Sequence, residues 1–316
     1  MFKQFYAEFD SLGTLGYEHP GRAVGREGNL PVLNRDLIKV DLAREIDVDH
    51  FGIDIANAKP DGVGGGKPGG GNGGGGGGGG GNVPDPYISG PADGTAGFNI
   101  KIVFEGEWSA ALYDIFVAAA DFYTALIVGD LQDVTVTSGR GRNRTTTTID
   151  DIEITASLIT IDGSGGVLGR AGPTAVRTDT SLPATAIMEF DIADADAFTA
   201  AGLFDDIVLH EMGHALGFGT IWDRLGLINP DNTFGGALAQ AESLAEFGTS
   251  DIAIETDGGQ GTAFGHWDDE TYTNELMTGY ISDPNYYSYM SAASYGDLGY
   301  ELNSNFRMVV DELNTA

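Results

Sequence analysis

Two histidines four residues apart mark the stretch of this chain that is best suited to chemistry. Residues 205–219 contain His210, Glu211 and His214 in the order His-Glu-x-x-His. On an α-helix, positions i and i+4 lie one turn apart on the same face, so both imidazoles can bind one metal ion. Glu211 lies about 100° further around the helix axis, where its carboxylate can reach a water molecule beside the metal. The spacing therefore predicts a zinc site with an acid–base group next to it.

A catalytic zinc ion uses three protein ligands and keeps one position open, so a third ligand must follow the helix. The sequence offers several candidates. His266 ends a glycine-rich segment that allows the backbone to return to the helix, and Asp223 lies in a Gly-Thr-x-x-Asp element. Glu242 or Glu246 would be available if residues 238–247 form a helix.

The metal helix itself has recognisable ends at residues 205–217. Asp205 or Asp206 suits its N-terminus, where an acidic side chain caps free N–H groups and complements the helix dipole. Gly217 is typical of a helix C-terminal stop.

The elements around this helix indicate an α+β fold. Alternating apolar residues predict strands, and apolar residues at helical spacing predict a long amphipathic helix before the metal helix. Beyond residue 219 turn signals dominate, which indicates a loop-rich C-terminal part. The predicted strands are 98–104, 134–137, 152–161 and 185–191, the long helix is 109–128, residues 171–176 are a loop or short strand, residues 193–200 are a loop, later helices are 238–247 and 291–298, and residues 300–302 are extended.

Composition divides the chain into three parts. Residues 60–82 are almost entirely glycine, cannot bury apolar area, and are predicted to form a flexible linker. Residues 1–59 form an N-terminal segment, a pro-segment or a small module, with strand patterns at 37–42 and 51–55. The remaining 83–316 are predicted to form the main domain.

Charge and cysteine usage exclude several function classes. The formal net charge is −31, with 47 acidic and 16 basic residues, which disfavours nucleic acid and anionic membranes as partners. The chain has no cysteine, so disulfides and cysteine-based zinc sites are excluded. No apolar stretch approaches the length of a membrane span, and the N-terminus lacks the apolar core of a signal peptide. We expect a secreted protein exported by a route without such a signal, with a cytoplasmic location as the alternative.

Taken together, the motifs resemble the leishmanolysin-like branch of the metzincin zinc peptidases, in particular its bacterial members. That branch has His-Glu-x-x-His-x-x-Gly-Phe, a long insertion, a third histidine and then a methionine in a tight turn. The resemblance covers about residues 95–302, and short stretches at 169–174, 188–191 and 297–300 also fit it. The matching residues are His210, Glu211, His214, Gly217, Phe218, His266 and Met277.

The resemblance implies a metzincin-like fold: a twisted mixed β-sheet with a long helix and an active-site helix, and then a loop-rich C-terminal subdomain. The upper subdomain would span about 95–219 and the lower about 220–316. It favours His266 as the third ligand of one catalytic Zn²⁺ ion, with Met277 as an apolar floor below the metal rather than a ligand. Glu211 is then the general base of an endopeptidase acting on protein or peptide substrates.

Peptide substrates of metzincins bind as an added strand at a sheet edge. The predicted strand 185–190 is expected to be that edge, with Ile187, Met188 and Glu189 beside the substrate.

The chain departs from the family pattern because several relatives use cysteines in disulfides and in a pro-segment latch. A latch here would need another ligand, and Asp47, Asp49 or His50 is available. The aspartates at 191–196 allow a calcium ion, although EF-hand spacing is absent.

Two other functions compete with a peptidase. A zinc-stabilised binding module would keep the histidines but would not need Glu211, and a hydrolase could act on amides of small molecules.

Overall fold

The computed structural model describes residues 38–39, 55–57, 83–91, 97–138, 142, 145–161, 163, 166–257, 259, 261–282 and 284–315. The strands are β1 (Ile38–Lys39), β2 (Ile55–Asn57), β3 (Tyr87–Ser89), β4 (Ile100–Glu105), β5 (Val134–Ser138), β6 (Thr145–Ile149), β7 (Ile152–Ile159), β8 (Gly166–Val167), β9 (Gly169–Val176), β10 (Pro183–Asp191), β11 (Thr233–Phe234) and β12 (Ile252–Ala253). The helices are α1 (Ala110–Leu126), α2 (Ile192–Ala201), α3 (Phe204–Ala215), α4 (Ala237–Phe247), α5 (Asp269–Tyr272), α6 (Tyr289–Leu298) and α7 (Phe306–Thr315).

A five-stranded mixed sheet is the centre of the fold, with the strand order β3-β4-β7-β10-β9. The inner pairs β4–β7 and β7–β10 are parallel, whereas β3 and β9 are antiparallel to their neighbours. Alternate residues of β4 are buried, namely Ile100, Ile102 and Phe104, as a strand with one face on the core requires. The predicted α+β architecture with a mixed sheet is confirmed.

The long helix α1 covers one face of the sheet and supports the metal helix. Its N-terminus is capped by Ser109, whose hydroxyl accepts a hydrogen bond from the Leu112 backbone N–H at 3.2 Å. Leu112, Phe116 and Tyr123 are buried along its inner side. The Tyr123 hydroxyl donates to the Leu209 carbonyl at 3.0 Å, so α1 is fixed directly to α3.

The loop predicted at residues 193–200 is wrong, because this segment is the helix α2. Asp191 caps it, with its carboxylate accepting from the Ala193 N–H at 2.8 Å, and Gly202 ends it in the left-handed conformation. The aspartates in the segment favoured a loop, but alanines at most other positions favour a helix once a cap is present.

The prediction that residues 185–190 form a sheet edge is also wrong. They belong to β10, which pairs with β7 on one side and β9 on the other, so Ile187, Met188 and Glu189 lie in an interior strand. The outer strand is β9, which includes Gly172 and Pro173. An alternation of apolar residues does not reveal how many neighbours a strand has. Proline in a strand does carry a signal, because it cannot donate to the ladder and is therefore largely confined to edge strands.

The C-terminal part is loop-rich, as predicted, and α4 and α6 confirm the helices expected at 238–247 and 291–298. Residues 300–302 contribute a single bridge between Leu302 and Ile127, and α7 was not predicted. No helix in the described part of the chain is long and apolar enough to cross a bilayer.

Two short strands of the N-terminal segment are described. β2 pairs with β5 and β1 pairs with β8. The glycine-rich residues 60–82 and the latch candidates Asp47, Asp49 and His50 lie outside the described residues. The division at 1–59 and 60–82 therefore stays a prediction.

Candidate metal centre

Helix α3 carries the first two histidines and is buried along most of its length. Its N-cap residue is Leu203, without a side-chain cap, so the predicted capping by Asp205 or Asp206 is wrong; both aspartates lie in the first turn, where they still complement the dipole. The helix ends at the predicted place, because Gly217 follows its C-cap with φ +110°, a backbone conformation that glycine adopts without strain.

The structure brings His210, His214 and His266 together with their Nε2 atoms facing one point. The Nε2 atoms of His210 and His214 are 2.8 Å apart, and each lies 3.1 Å from Nε2 of His266. All three side chains are fully buried. Three ring nitrogens thus converge in the interior although one of them comes from a loop far along the chain.

The opposite ring nitrogens fix the tautomer of each imidazole. Nδ1 of His210 lies 2.8 Å from the Leu276 carbonyl, Nδ1 of His214 lies 2.8 Å from the Phe218 carbonyl, and Nδ1 of His266 lies 2.9 Å from the Thr262 carbonyl. A carbonyl oxygen can only accept, so each Nδ1 carries the proton and donates it. The three Nε2 atoms therefore present lone pairs to one another.

The surroundings keep these imidazoles neutral. Burial lowers the pKa of His210 to about 4 and, together with the neighbouring His210 ring, lowers the pKa of His266 to about 3. The pKa of His214 falls well below its ordinary range because of burial and then because of the other two rings. At neutral pH none of the three is protonated at Nε2, which is the form that binds metals.

This donor set fits a zinc ion. Converging lone pairs repel one another unless a cation lies between them, and imidazole nitrogen is a preferred ligand of Zn²⁺. Tetrahedral zinc with Zn–N bonds of about 2.0–2.1 Å separates its ligand atoms by about 3.3 Å, close to the spacing of the triad. Three protein ligands, each oriented by a carbonyl, leave a fourth position open as in catalytic rather than structural zinc sites.

His266 reaches the helix through a close backbone crossing. A Cβ atom on Gly219 would lie 2.1 Å from the Gly265 carbonyl oxygen, so no other residue fits at this crossing. The backbone of Glu255 then bonds to both the Phe264 N–H (2.7 Å) and the His266 carbonyl (3.0 Å). The packing requirement at this crossing therefore falls on Gly219, which precedes the glycine-rich return predicted from the sequence.

The other candidate third ligands lie elsewhere. Asp223 is exposed, and Glu242 forms an ion pair with Arg307. Glu246 accepts hydrogen bonds from backbone N–H groups at the start of α6.

Met277 is fully buried below α3. A Cβ atom on Gly213 would lie 3.0 Å from Cε of Met277, which places the thioether against the helix next to His214. The preceding carbonyl, that of Leu276, is the one that orients His210, so this turn supports the triad through its backbone as well as its side chain.

Glu211 is fully buried and lies beside the outer strand of the sheet. A Cβ atom on Gly169, the first residue of β9, would lie 3.3 Å from Cγ of Glu211. The carboxylate therefore belongs to the space between the metal helix and β9.

The sequence reasoning missed the groups that orient the histidines. These groups are three backbone carbonyls, for which side-chain identity gives no signal. The sequence reasoning also gave no role to Glu275, a buried carboxylate next to the Met277 turn. Its signal was a charged residue directly before the apolar pair Leu276-Met277.

Among the described residues, one other group could hold a metal, namely Asp130, Asp150 and Asp151. The calcium ion that the aspartates at 191–196 allow stays a prediction. The carboxylate of Asp191 is used by backbone N–H groups, those of Ile161, Gly163 and Ala193.

A buried histidine triad, with two ligands on a helix and the third on a distant loop, together with a mixed sheet is the arrangement of a metzincin-like fold. The sequence model of the leishmanolysin peptidase family matches residues 133–309, more than half of the chain. A search of curated proteins found no match. The chain belongs to the leishmanolysin family of metallopeptidases, which are hydrolases, and the resemblance of its motifs to that family is confirmed.

Proposed function

We propose that this metallopeptidase is a zinc-dependent endopeptidase in which Glu211 is the general base. The observation that carries the proposal is the convergence of three neutral imidazole nitrogens within 2.8–3.1 Å of one another, with Glu211 on the same helix. A zinc ion held there supplies Lewis acidity, which acidifies water toward a pKa of ~7 and polarises a peptide carbonyl.

Glu211 supplies the proton transfers. Glu211 follows His210 on α3, so its side chain leaves the helix about 100° around the axis from the two histidines and is not a ligand. The carboxylate takes the proton of the attacking water molecule and returns it to the nitrogen of the leaving amine. Burial of the helix excludes bulk water, so the charge on Glu211 acts in a medium of low dielectric constant.

The outer edge of β9 is the surface we propose for the substrate. In the described part of the chain β9 pairs with β10 alone, so its other edge can accept an extended peptide as an added strand. Because Gly169 of β9 lies beside Glu211, a peptide on this edge passes the base, and bonds in the middle of a chain become substrates. The residues predicted to lie beside the substrate, Ile187, Met188 and Glu189, are one strand further in, so β9 takes their place as the proposed substrate edge.

The test is Glu211→Gln, which keeps the size of the side chain and removes its basicity. We expect one zinc ion per chain, as in the wild type, and a fall in the cleavage rate of casein by about 10²–10⁴-fold, the usual contribution of a general base. A peptide blocked at both ends and analysed by mass spectrometry shows whether cleavage is internal.

Glu242→Gln is the matched control, because Glu242 pairs with Arg307 away from the triad. It should cleave at the wild-type rate. Cleavage by Glu211→Gln at the wild-type rate with zinc bound would refute the assigned role of Glu211, and a zinc-loaded wild type that leaves the blocked peptide intact would refute the endopeptidase.

A further inference from the structure

A second buried carboxylate, that of Glu275, lies close to the metal centre and has no part in the proposed reaction. It is only 1% exposed. Its Oε2 accepts from the Met277 N–H at 2.5 Å, and its Oε1 accepts from the N–H of Ser288 at 3.1 Å. The hydroxyls of Ser288 and Ser291 also donate to Oε1, at 2.8 and 2.5 Å. One carboxylate thus joins the Met277 turn to the start of α6.

These bonds continue to two of the three histidines. The Leu276 carbonyl, which lies between Glu275 and Met277, accepts from Nδ1 of His210 at 2.8 Å. On the other side Ser291 accepts from Nε1 of Trp267, the residue after His266, at 2.8 Å.

The turn and the His266 loop are also joined directly. The backbone N–H of Trp267 donates to the Met277 carbonyl at 3.1 Å. The segments that carry His266 and orient His210 therefore share Glu275 as a common anchor.

Capping of α6 does not account for this arrangement. Ser288 already caps the helix by accepting from the Ser291 N–H at 3.0 Å. Glu246 accepts from the first two N–H groups of the helix, those of Tyr289 and Met290, at 2.9 and 2.8 Å. Burying another carboxylate at the same helix end costs free energy. Burial also raises the pKa of Glu275 to about 6 despite its hydrogen bonds. Both carboxylates bond to the start of α6, but only Glu275 also bonds to the Met277 turn.

We propose that Glu275 is a positioning residue for the zinc centre, acting on His210 through the Leu276 carbonyl and on His266 through Ser291 and Trp267. The proposal rests on the zinc ion of the proposed function but not on catalysis. Groups that orient histidine ligands without touching the metal contribute about 10–100-fold to metal affinity. Glu275 reaches the ligands through rigid intermediates, a backbone carbonyl and a stacked indole, so we expect an effect of that size.

Glu275→Gln in the full chain tests this. The oxygen of the Gln amide still accepts from the serines, but the NH₂ group then faces the Met277 N–H. Two donors cannot bond to each other, so the turn loses its hydrogen bond to residue 275. We expect the Kd for zinc, measured by competition with a chelator, to rise about 10–100-fold. In cobalt-substituted protein the visible absorption bands, which report ligand geometry, should shift.

Glu246→Gln is the matched control, since it loses carboxylate bonds to the same helix end without touching the turn. It should lower the Tm of the zinc-free protein but keep the wild-type zinc Kd and cobalt spectrum. The proposal would be overturned if Glu275→Gln bound zinc as tightly as the wild type. It would also be overturned if Glu275→Gln and Glu246→Gln lost zinc affinity equally.

Ser291→Ala is the milder variant should Glu275→Gln not fold. It removes one bond to Glu275 and the acceptor for Trp267, and should raise the zinc Kd about 2- to 10-fold. An unchanged Kd would contradict the proposal.

The zinc Kd is measured without substrate, so it does not depend on whether the protein cleaves peptides. A wild type that binds zinc without cleaving peptides would refute the proposed function and leave the role of Glu275 to be decided by the Kd values.

Discussion

At the scale of single residues, close contacts with the backbone of α3 position the metal centre. Gly213 lies between the histidines of this helix and faces the hydroxyls of Tyr123 and Tyr295. Both tyrosines are fully buried, and the Tyr295 hydroxyl donates to that of Tyr123, which itself donates to the Leu209 carbonyl. The missing side chain at Gly213 lets this bonded pair approach the helix backbone.

Gly213→Ala is therefore expected to destabilise the protein although alanine favours helices by about 1 kcal/mol over glycine. Its Cβ would lie 2.7 Å from the Tyr295 hydroxyl and 2.8 Å from that of Tyr123, and neither ring can move away within the packed core. Overpacking of this kind costs about 1–3 kcal/mol. We expect a Tm about 2–6 °C below the wild type by circular dichroism, together with weaker zinc binding. A Tm above that of the wild type would show that the tyrosines move aside at little cost.

At the scale of secondary-structure elements, the triad joins parts of the chain that are far apart in sequence. Helix α3 supplies two ligands, and the loop at residues 261–266 supplies the third. The turn at residues 275–277 orients one of them. A metal bound at this junction stabilises the contact between α3 and the loop-rich C-terminal part.

Zinc removal should therefore loosen specific elements rather than the whole fold. At free zinc 1,000 times its Kd, binding stabilises the folded state by about 4 kcal/mol, and a chelator removes that contribution. We expect the Tm to fall by about 8–16 °C. Hydrogen exchange should increase in residues 261–282 and at the end of α3, while β4 and β7 stay protected. An equal increase in all elements would contradict a local role for the metal.

The same elements show how far the sequence could predict the structure. The α3 histidines, the stop at Gly217 and α1 follow from local rules of spacing, capping and periodicity. The sheet position of β10 does not, because the number of neighbours of a strand depends on the whole topology. The α2 helix was missed because its cap, Asp191, was assigned to the end of the preceding strand, and the aspartates after it favoured a loop.

The candidate site divides in the same way. Side-chain ligands at a recognisable spacing could be identified from the sequence, whereas backbone carbonyls that orient them could not. The anchoring role of Glu275 depends on Ser288 and Ser291, whose contacts exist only in the folded chain.

At the scale of the whole molecule, the net charge of −31 means that acidic groups must crowd somewhere, and one such place is the end of the central sheet where the interior strand β7 begins. Asp150 and Asp151 directly precede β7, and Asp130 lies beside them. Burial first, and then neighbouring aspartates, raises the pKa of Asp150 to about 6. Burial also raises the pKa of Asp151 to about 7, although backbone N–H groups of Leu131 and Asn99 donate to it.

This cluster should make the stability of the protein depend on pH near neutrality. Because the folded-state pKa values lie above the ordinary 3.8, the folded protein binds these protons more tightly than the unfolded chain. Their stabilising contribution is fully present below pH 3.8 and is lost as the pH rises through about 6 and 7. Asp150→Asn removes one of the charges and keeps the size of the side chain.

We expect the Asp150→Asn protein to have a Tm about 2 °C above that of the wild type at pH 8, a small gain because Asp150 is partly exposed and water screens its charge. The gain should decrease as the pH falls from 8 to 4.5, because the folded protein then protonates Asp150, and it should be gone only below pH 3.8, where the unfolded chain is protonated as well. Thermal unfolding of zinc-free protein between pH 4.5 and 8 measures it, with the exposed Asp251→Asn as a control that should show no difference at any pH. A variant that is less stable than the wild type at pH 8 would mean that the Asp150 carboxylate stabilises the fold, through the nearby Arg177 guanidinium, more than the crowding of like charges destabilises it.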